Sequence, residues 1–167
     1  MGPKSLAKKP TQSKAGDNEK KFRRLFSAKA SKTPLLGKKR YKLHDVEISV
    51  DDSFEYDGMD VLVEIDSGNM AKLLVGQYML LNCLRKSDKP AFFLIIHAYK
   101  KFSPLRTLKN LGFVNQHFLN GNGIEFGALH LNTIESWSGD LPDLFKLAND
   151  SINTSTTALS CKPRKAV

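Results

Sequence analysis

Apolar positions along this chain fall into short blocks whose period changes, and each change of period marks an element. Between Lys42 and Val50, the residues Val46, Ile48 and Val50 alternate with Glu47 and Ser49, the period-two pattern of a half-buried strand. Asp51 to Gly58 reads as an acidic, turn-rich connection, and Val61 to Asp66 as a second alternating strand. Ser67, Gly68 and Asn69 then interrupt the chain. Met70, Leu73, Leu74, Gln77, Tyr78, Leu81 and Leu84 follow at helical spacing and predict a helix of about four turns, ending in Arg85 and Lys86 where cations suit the C-terminal dipole. Val75, Met79 and Leu80 make this helix apolar nearly all round, so it is expected to be buried.

Ser87-Asp88-Lys89-Pro90 turns the chain into Ala91 to Tyr99, whose unbroken Phe92-Phe93-Leu94-Ile95-Ile96 run predicts a central strand covered on both faces. Ser103 as cap, Pro104 at the first helical position, and Leu105, Leu108 and Leu111 on one face predict a helix that stops at Gly112. Phe113 to Leu119 and Ile124 to Leu131 read as a hairpin turning through Asn120-Gly121-Asn122-Gly123. A last short helix is expected around Leu141 to Ala148. The order predicts an α+β fold, with helices packed on a mostly antiparallel sheet.

Charge adds a feature that periodicity does not carry. Residues 1–40 hold thirteen basic residues against Asp17 and Glu19, a net +11, whereas residues 41–167 hold thirteen basic and fifteen acidic residues, a net −2. Three regions follow: a basic, largely disordered arm (1–40), a globular α+β domain (41–150) and a flexible polar tail (151–167). Within the arm, Asp17 or Asn18 can cap a short helix that places Phe22, Leu25 and Phe26 on one face among Lys20, Lys21, Arg23, Arg24 and Lys29. Two readings fit that helix. Its rings enter a membrane interface while the cations meet anionic headgroups, or its apolar residues dock on the protein's own body. Lys32 to Arg40, with Pro34 and Gly37, reads as a linker.

Chemistry-bearing motifs are sparse. The sequence has no nucleophile elbow, Walker loop, H-E-x-x-H pair or dinucleotide fingerprint, so no enzyme activity and no cofactor are expected. Gly121-Asn122-Gly123 precedes a predicted strand and suits a turn better than a phosphate loop. His117 and His130 could face each other across the predicted hairpin, but two ligands without a third seldom hold zinc, so no metal is expected. Cys83 is expected as a buried thiol, and Trp137 as a cap on the core. The acidic cluster Asp51, Asp52, Glu55, Asp57 and Asp60 reads as a solvated loop, or as a dock for the basic arm of a neighbouring molecule. Lys20-Lys21-Phe22-Arg23-Arg24 and Lys38-Lys39-Arg40 can neutralise phosphates without reading sequence, and they also resemble nuclear-import signals. The start Met-Gly-Pro-Lys lacks the apolar region of a secretory signal, and no stretch reaches the roughly 20 apolar residues needed to span a bilayer.

The layout resembles the matrix proteins of rhabdoviruses, in particular the short ones of plant-infecting cytorhabdoviruses. The likeness covers the basic arm and roughly Tyr56 to Pro104: the strand Val61-Leu-Val-Glu-Ile65, the helix Met70 to Leu84, and Lys89-Pro90 opening the apolar strand Ala91 to Ile96. It departs from animal-virus members, which commonly carry a PPxY or PTAP budding motif where this arm has only Lys32-Thr33-Pro34-Leu35. The resemblance implies a non-enzymatic structural protein of the virion, working in host cytoplasm at the inner face of a membrane. It would condense the viral ribonucleoprotein, link it to an anionic membrane surface through the arm, and self-associate. Carried onto this chain, the contact residues for membrane or nucleic acid are Lys20, Lys21, Phe22, Arg23, Arg24, Leu25, Phe26, Lys38, Lys39 and Arg40. An RNA-binding accessory protein of a plant virus, a silencing suppressor or movement factor, is the alternative.

Overall fold

A computed structural model describes residues 16–68, 70–99 and 101–153. The chain runs α1 (Asp17–Lys29), β1 (Lys39–Leu43), β2 (Val46–Val50), β3 (Asp52–Tyr56), β4 (Met59–Asp66), α2 (Ala71–Leu84), β5 (Ala91–His97), α3 (Pro104–Phe118), β6 (Glu125–His130), α4 (Leu131–Ser136) and α5 (Leu141–Asn153). The α+β class holds, with a mixed sheet. β3 pairs antiparallel with β4, β4 and β5 pair in parallel, and so do β5 and β6, in the order β3-β4-β5-β6. β1 and β2 form a separate antiparallel hairpin, turning at His44 with positive φ.

The parallel pairing follows from the two helical connections, since a strand followed by a crossover helix returns in the same direction. Alternate residues of each strand serve two cores. Val61, Val63, Phe92, Leu94, Ile96 and Leu129 pack against α1, α4 and α5. Leu62, Phe93, Ile95 and Ala128 pack under α2 and α3, with Val50, Tyr41 and Ile48 of the hairpin closing that side. Burial on both faces is why β5 reads as one continuous apolar run.

Four sequence expectations change. Asp51 to Gly58 contains strand β3, because Phe54 is buried against Phe26 of α1 and Ser53, on the other face, is buried with its hydroxyl donating to the Gly37 carbonyl, while Asp57-Gly58 makes the turn. α3 continues through Gly112 to Phe118, so Phe113 to Leu119 is no strand and Asn120 to Gly123 joins a helix to β6. Gly112 lies within a helix whose Val114 side chain is in the core, and packing outweighs the roughly 1 kcal/mol cost of a helical glycine. Cys83 is exposed rather than buried, and α4 had no forecast.

The largest change concerns the arm. α1 is part of the domain: Phe22 and Phe26 are fully buried, with Phe26 4.8 Å from the Phe54 ring and 5.6 Å from Trp137. Its C-terminal end is pinned where Lys29 Nζ donates to the Trp137 carbonyl. Gly139, at φ 101°, lies against the Lys29 backbone, and a β-carbon there would strike the Lys29 carbonyl. Gly139→Ala is therefore expected to cost about 1–3 kcal/mol by chemical denaturation; an unchanged midpoint would mean that this contact does not hold α1. Residues 1–15 and 154–167, and with them most of the predicted tail, lie outside the described residues.

Candidate functional site

Of the ten candidate contact residues, the structure removes two from any external contact. Phe22 and Phe26 are fully buried, so the membrane-insertion reading of these rings is corrected: their apolar area is already satisfied by Phe54, Trp137 and the sheet. Leu25 is half-buried against the same core. Of the two readings of the helix, docking on the protein's own body is the one observed.

The cations divide into paired and exposed. Arg23 Nε donates to Asp52 Oδ2 at 2.6 Å, Lys21 meets Glu135 at 2.5 Å, Lys39 meets Asp60 at 3.1 Å and Arg40 meets Glu47 at 3.3 Å. Lys20, Arg24, Lys32 and Lys38 are exposed to solvent. Four carboxylates of the acidic cluster are engaged within the chain, Asp51 by the Ile65 N–H, Asp52 by Arg23, Glu55 by Lys89 and Asp60 by three cations, while Asp57 is exposed at the turn. Asp52 also accepts the Gly37 N–H at 2.8 Å, and Leu36 N–H bonds the Ser53 carbonyl at 2.7 Å, which lays the linker along β3. Asp60 takes Lys39, Lys89 and Arg85 together. Burial alone would push its carboxyl up, but hydrogen bonds from these three hold it down to about 2.

A second assembly sits at the C-terminal ends of the parallel strands, where Asp66, His97 and His130 are register neighbours. His97 Nδ1 lies 2.9 Å from Asp66 Oδ2, and its Nε2 lies 3.0 Å from the Thr107 hydroxyl. Burial alone would push the Asp66 carboxyl up, but the hydrogen bond with His97 and those it accepts from the Gly68 and Met70 backbone N–H groups hold it below its usual range. The order Thr-His-Asp superficially matches a nucleophile relay, yet Thr107 and His97 are wholly buried. The triad joins β4, β5 and α3 and presents no atom to a substrate. His130 hydrogen-bonds the Phe102 carbonyl, while His117 lies on α3 beside Phe113, so the expected facing pair does not form. Among the described residues no three metal-ligating side chains converge.

A cleft of about 880 Å³ opens between β2 and α2, lined by Ile48, Glu64, Leu73, Gln77 and Leu80 among others. Glu64 lies in its floor with Oε2 lacking a partner. Burial first, and then the neighbouring Asp51 charge, push its carboxyl up to about 8. Burial likewise raises Asp51, despite the hydrogen bond it accepts from Ile65 N–H at 2.9 Å. A proton-holding carboxyl in a cleft is a recognised mark of a site, but the lining contains no histidine or cysteine to act with it. Sequence reading missed it because Glu64 occupies an ordinary polar position in an alternating strand.

Comparison of the chain with protein-family models, with curated proteins and with solved structures finds no match in any of the three.

Proposed function

We propose that this chain is a matrix-type structural protein, non-enzymatic, that gathers a polyanion through its basic N-terminal region while its α+β body serves as the platform. The observation that carries the reading is the distribution of charge in residues 1–40. Lys21, Arg23, Lys39 and Arg40 are spent on carboxylates of the body, while Lys20, Arg24, Lys32 and Lys38 stay exposed, and the segment before Gly16 adds Lys4, Lys8, Lys9 and Lys14. The paired set fixes the root of the arm, and the exposed set supplies sequence-independent contacts to phosphate. Condensing a ribonucleoprotein needs that kind of binding: many weak, salt-sensitive contacts on a protein that also associates with itself. With Phe22 and Phe26 buried, attachment of this region to a membrane is electrostatic only.

The test is retention of single-stranded RNA as a function of salt. Changing Lys20, Arg24 and Lys38 together to Gln is expected to flatten the slope of log K against log salt by about 2, at roughly 0.7 per phosphate contact. The same slope in wild type and variant would remove these residues from the interface. RNA binding that persists after Lys4, Lys8, Lys9 and Lys14 are also changed to Gln would overturn the reading.

A further inference from the structure

The near-neutral body conceals a strong separation of charge. Between Asp66 and Glu125 the chain has eight cations and one acidic residue, Asp88, a net +7. Residues 41–66 carry one cation and nine acidic residues, a net −8. The acidic part, β2 to β4 with its turns, takes up the cations at the root of the arm. Of the eight cations, Arg85 and Lys89 pair with Asp60, while Lys72 lies on α2 and Arg106 and Lys109 on α3, the two helices that cover β5.

On the outer side of α2, Lys72, Gly76 and Cys83 are exposed along one helical stripe, Met79 between them is partly buried against the core, and Leu73 on the stripe's shoulder is 62% exposed. The expectation that α2 is buried therefore holds in part: Leu74, Tyr78 and Leu81 reach the core, Val75 and Met79 are partly buried against it, and Leu73 is exposed. On the adjacent α3, Arg106, Lys109, Phe113 and His117 make a second exposed stripe, with Phe113 61% exposed. Arg106 adjoins Leu73 and Lys72, so the two stripes meet. Neither helix contains a carboxylate. Lys72, Arg106 and Lys109 make no ion pair among the described residues, and Lys72 shares the lining of the β2–α2 cleft with Glu47, Glu64 and Asp66.

We propose that this outer face of the α2–α3 layer is a docking surface for an anionic phospholipid bilayer, separate from the basic N-terminal region. Its chemistry selects the occupant. A second copy meeting it face to face would set like charges opposite each other with no carboxylate between them, which is unfavourable. RNA would satisfy the cations but leave the exposed Leu73 and Phe113 with no apolar partner. A lipid surface satisfies both, because phosphates meet Lys72, Arg106 and Lys109 while Leu73 and Phe113 enter the acyl boundary. Two helices side by side on a sheet present a broad face, as a planar partner requires.

The experiment is vesicle flotation of the full chain, using phosphatidylserine–phosphatidylcholine vesicles and phosphatidylcholine vesicles, beside retention of single-stranded RNA and sedimentation for mass. Arg106→Gln with Lys109→Gln is expected to weaken binding to the anionic vesicles roughly ten- to thirtyfold. Leu73→Ser with Phe113→Ser is expected to weaken it comparably, with the unfolding midpoint unchanged because both side chains are exposed. RNA retention is expected to hold in all four substitutions, and the loss on vesicles to recur when Lys4, Lys8, Lys9 and Lys14 are Gln. That last background separates this surface from the arm, since failure of the arm reading would appear in RNA retention alone. Unaltered flotation of the variants would overturn the proposal. So would a parallel fall in RNA retention, which makes nucleic acid the occupant, or a dimer that dissociates in the Leu73 and Phe113 variant, which makes it a second copy.

Discussion

Replacing Phe26 by alanine is expected to destabilise the whole domain by about 3–5 kcal/mol, in the range for emptying a buried aromatic site. Phe26 is fully buried and contacts the Phe22, Phe54 and Trp137 rings, so the deletion opens a cavity among three aromatic groups. Domains of this size are typically stable by about 5–15 kcal/mol, so the loss is a large share of the total. Urea unfolding measures it. A change below about 1 kcal/mol would mean that α1 is an appendage and that the domain begins at β1. The same packing sets the terms for truncation: removing residues 1–40 strips Phe22 and Phe26 from the core as well as the charge. Changing lysines to glutamine in the full chain is the cleaner way to isolate electrostatics.

Glu64→Gln is expected to stabilise the protein at alkaline pH and to do little in acid. The Glu64 carboxyl sits at about 8 in the folded protein, above its ordinary value of 4.5. Below about pH 4.5 both folded and unfolded chains hold the proton and the residue contributes nothing to the pH dependence. Between 4.5 and 8 only the folded chain holds it, so stability falls as pH rises. Beyond 8 the buried charge is carried in full. The variant never ionises, and by pH 9 it should exceed wild type by on the order of 2–4 kcal/mol. Thermal unfolding at pH 4.5 and pH 9 reads the difference, and equal gaps at the two pH values would show that Glu64 is not held protonated. Asp60 works with the opposite sign. Its folded value of about 2 lies below the ordinary 3.8, so its stabilisation is present above 3.8 and lost as pH falls through 2. Together the two residues place their joint stability maximum in mildly acidic conditions, at about pH 4–5.

Long, periodic segments were legible in the sequence. α2 and β5 fall within a residue or two of where their apolar spacing puts them, because one periodic signal spans each of them. The error at α3 has a local cause. Gly112 with Asn120-Gly121 resembles a helix stop followed by a hairpin, yet Asn115 accepts the Gly121 and Gly123 N–H groups and holds that loop against the end of the helix. The candidate contact residues were legible as charge, but their partners were not. Arg23 finds Asp52 and Lys21 finds Glu135 across separations that no periodicity records.

By itself the sequence determined the α+β class, the concentration of positive charge before Tyr41, the absence of familiar catalytic motifs, and the strands and helix that carry the strongest apolar patterns. These are properties of composition and of short-range spacing. Tertiary structure alone decided that the sheet is mixed, that Phe22 and Phe26 face inward, that burial raises the Glu64 carboxyl, and that Leu73 of α2 stays exposed to solvent. Each of these depends on which distant segments lie against one another. An amphipathic pattern states that an apolar face needs a partner, and only the packed fold names that partner or leaves the place vacant.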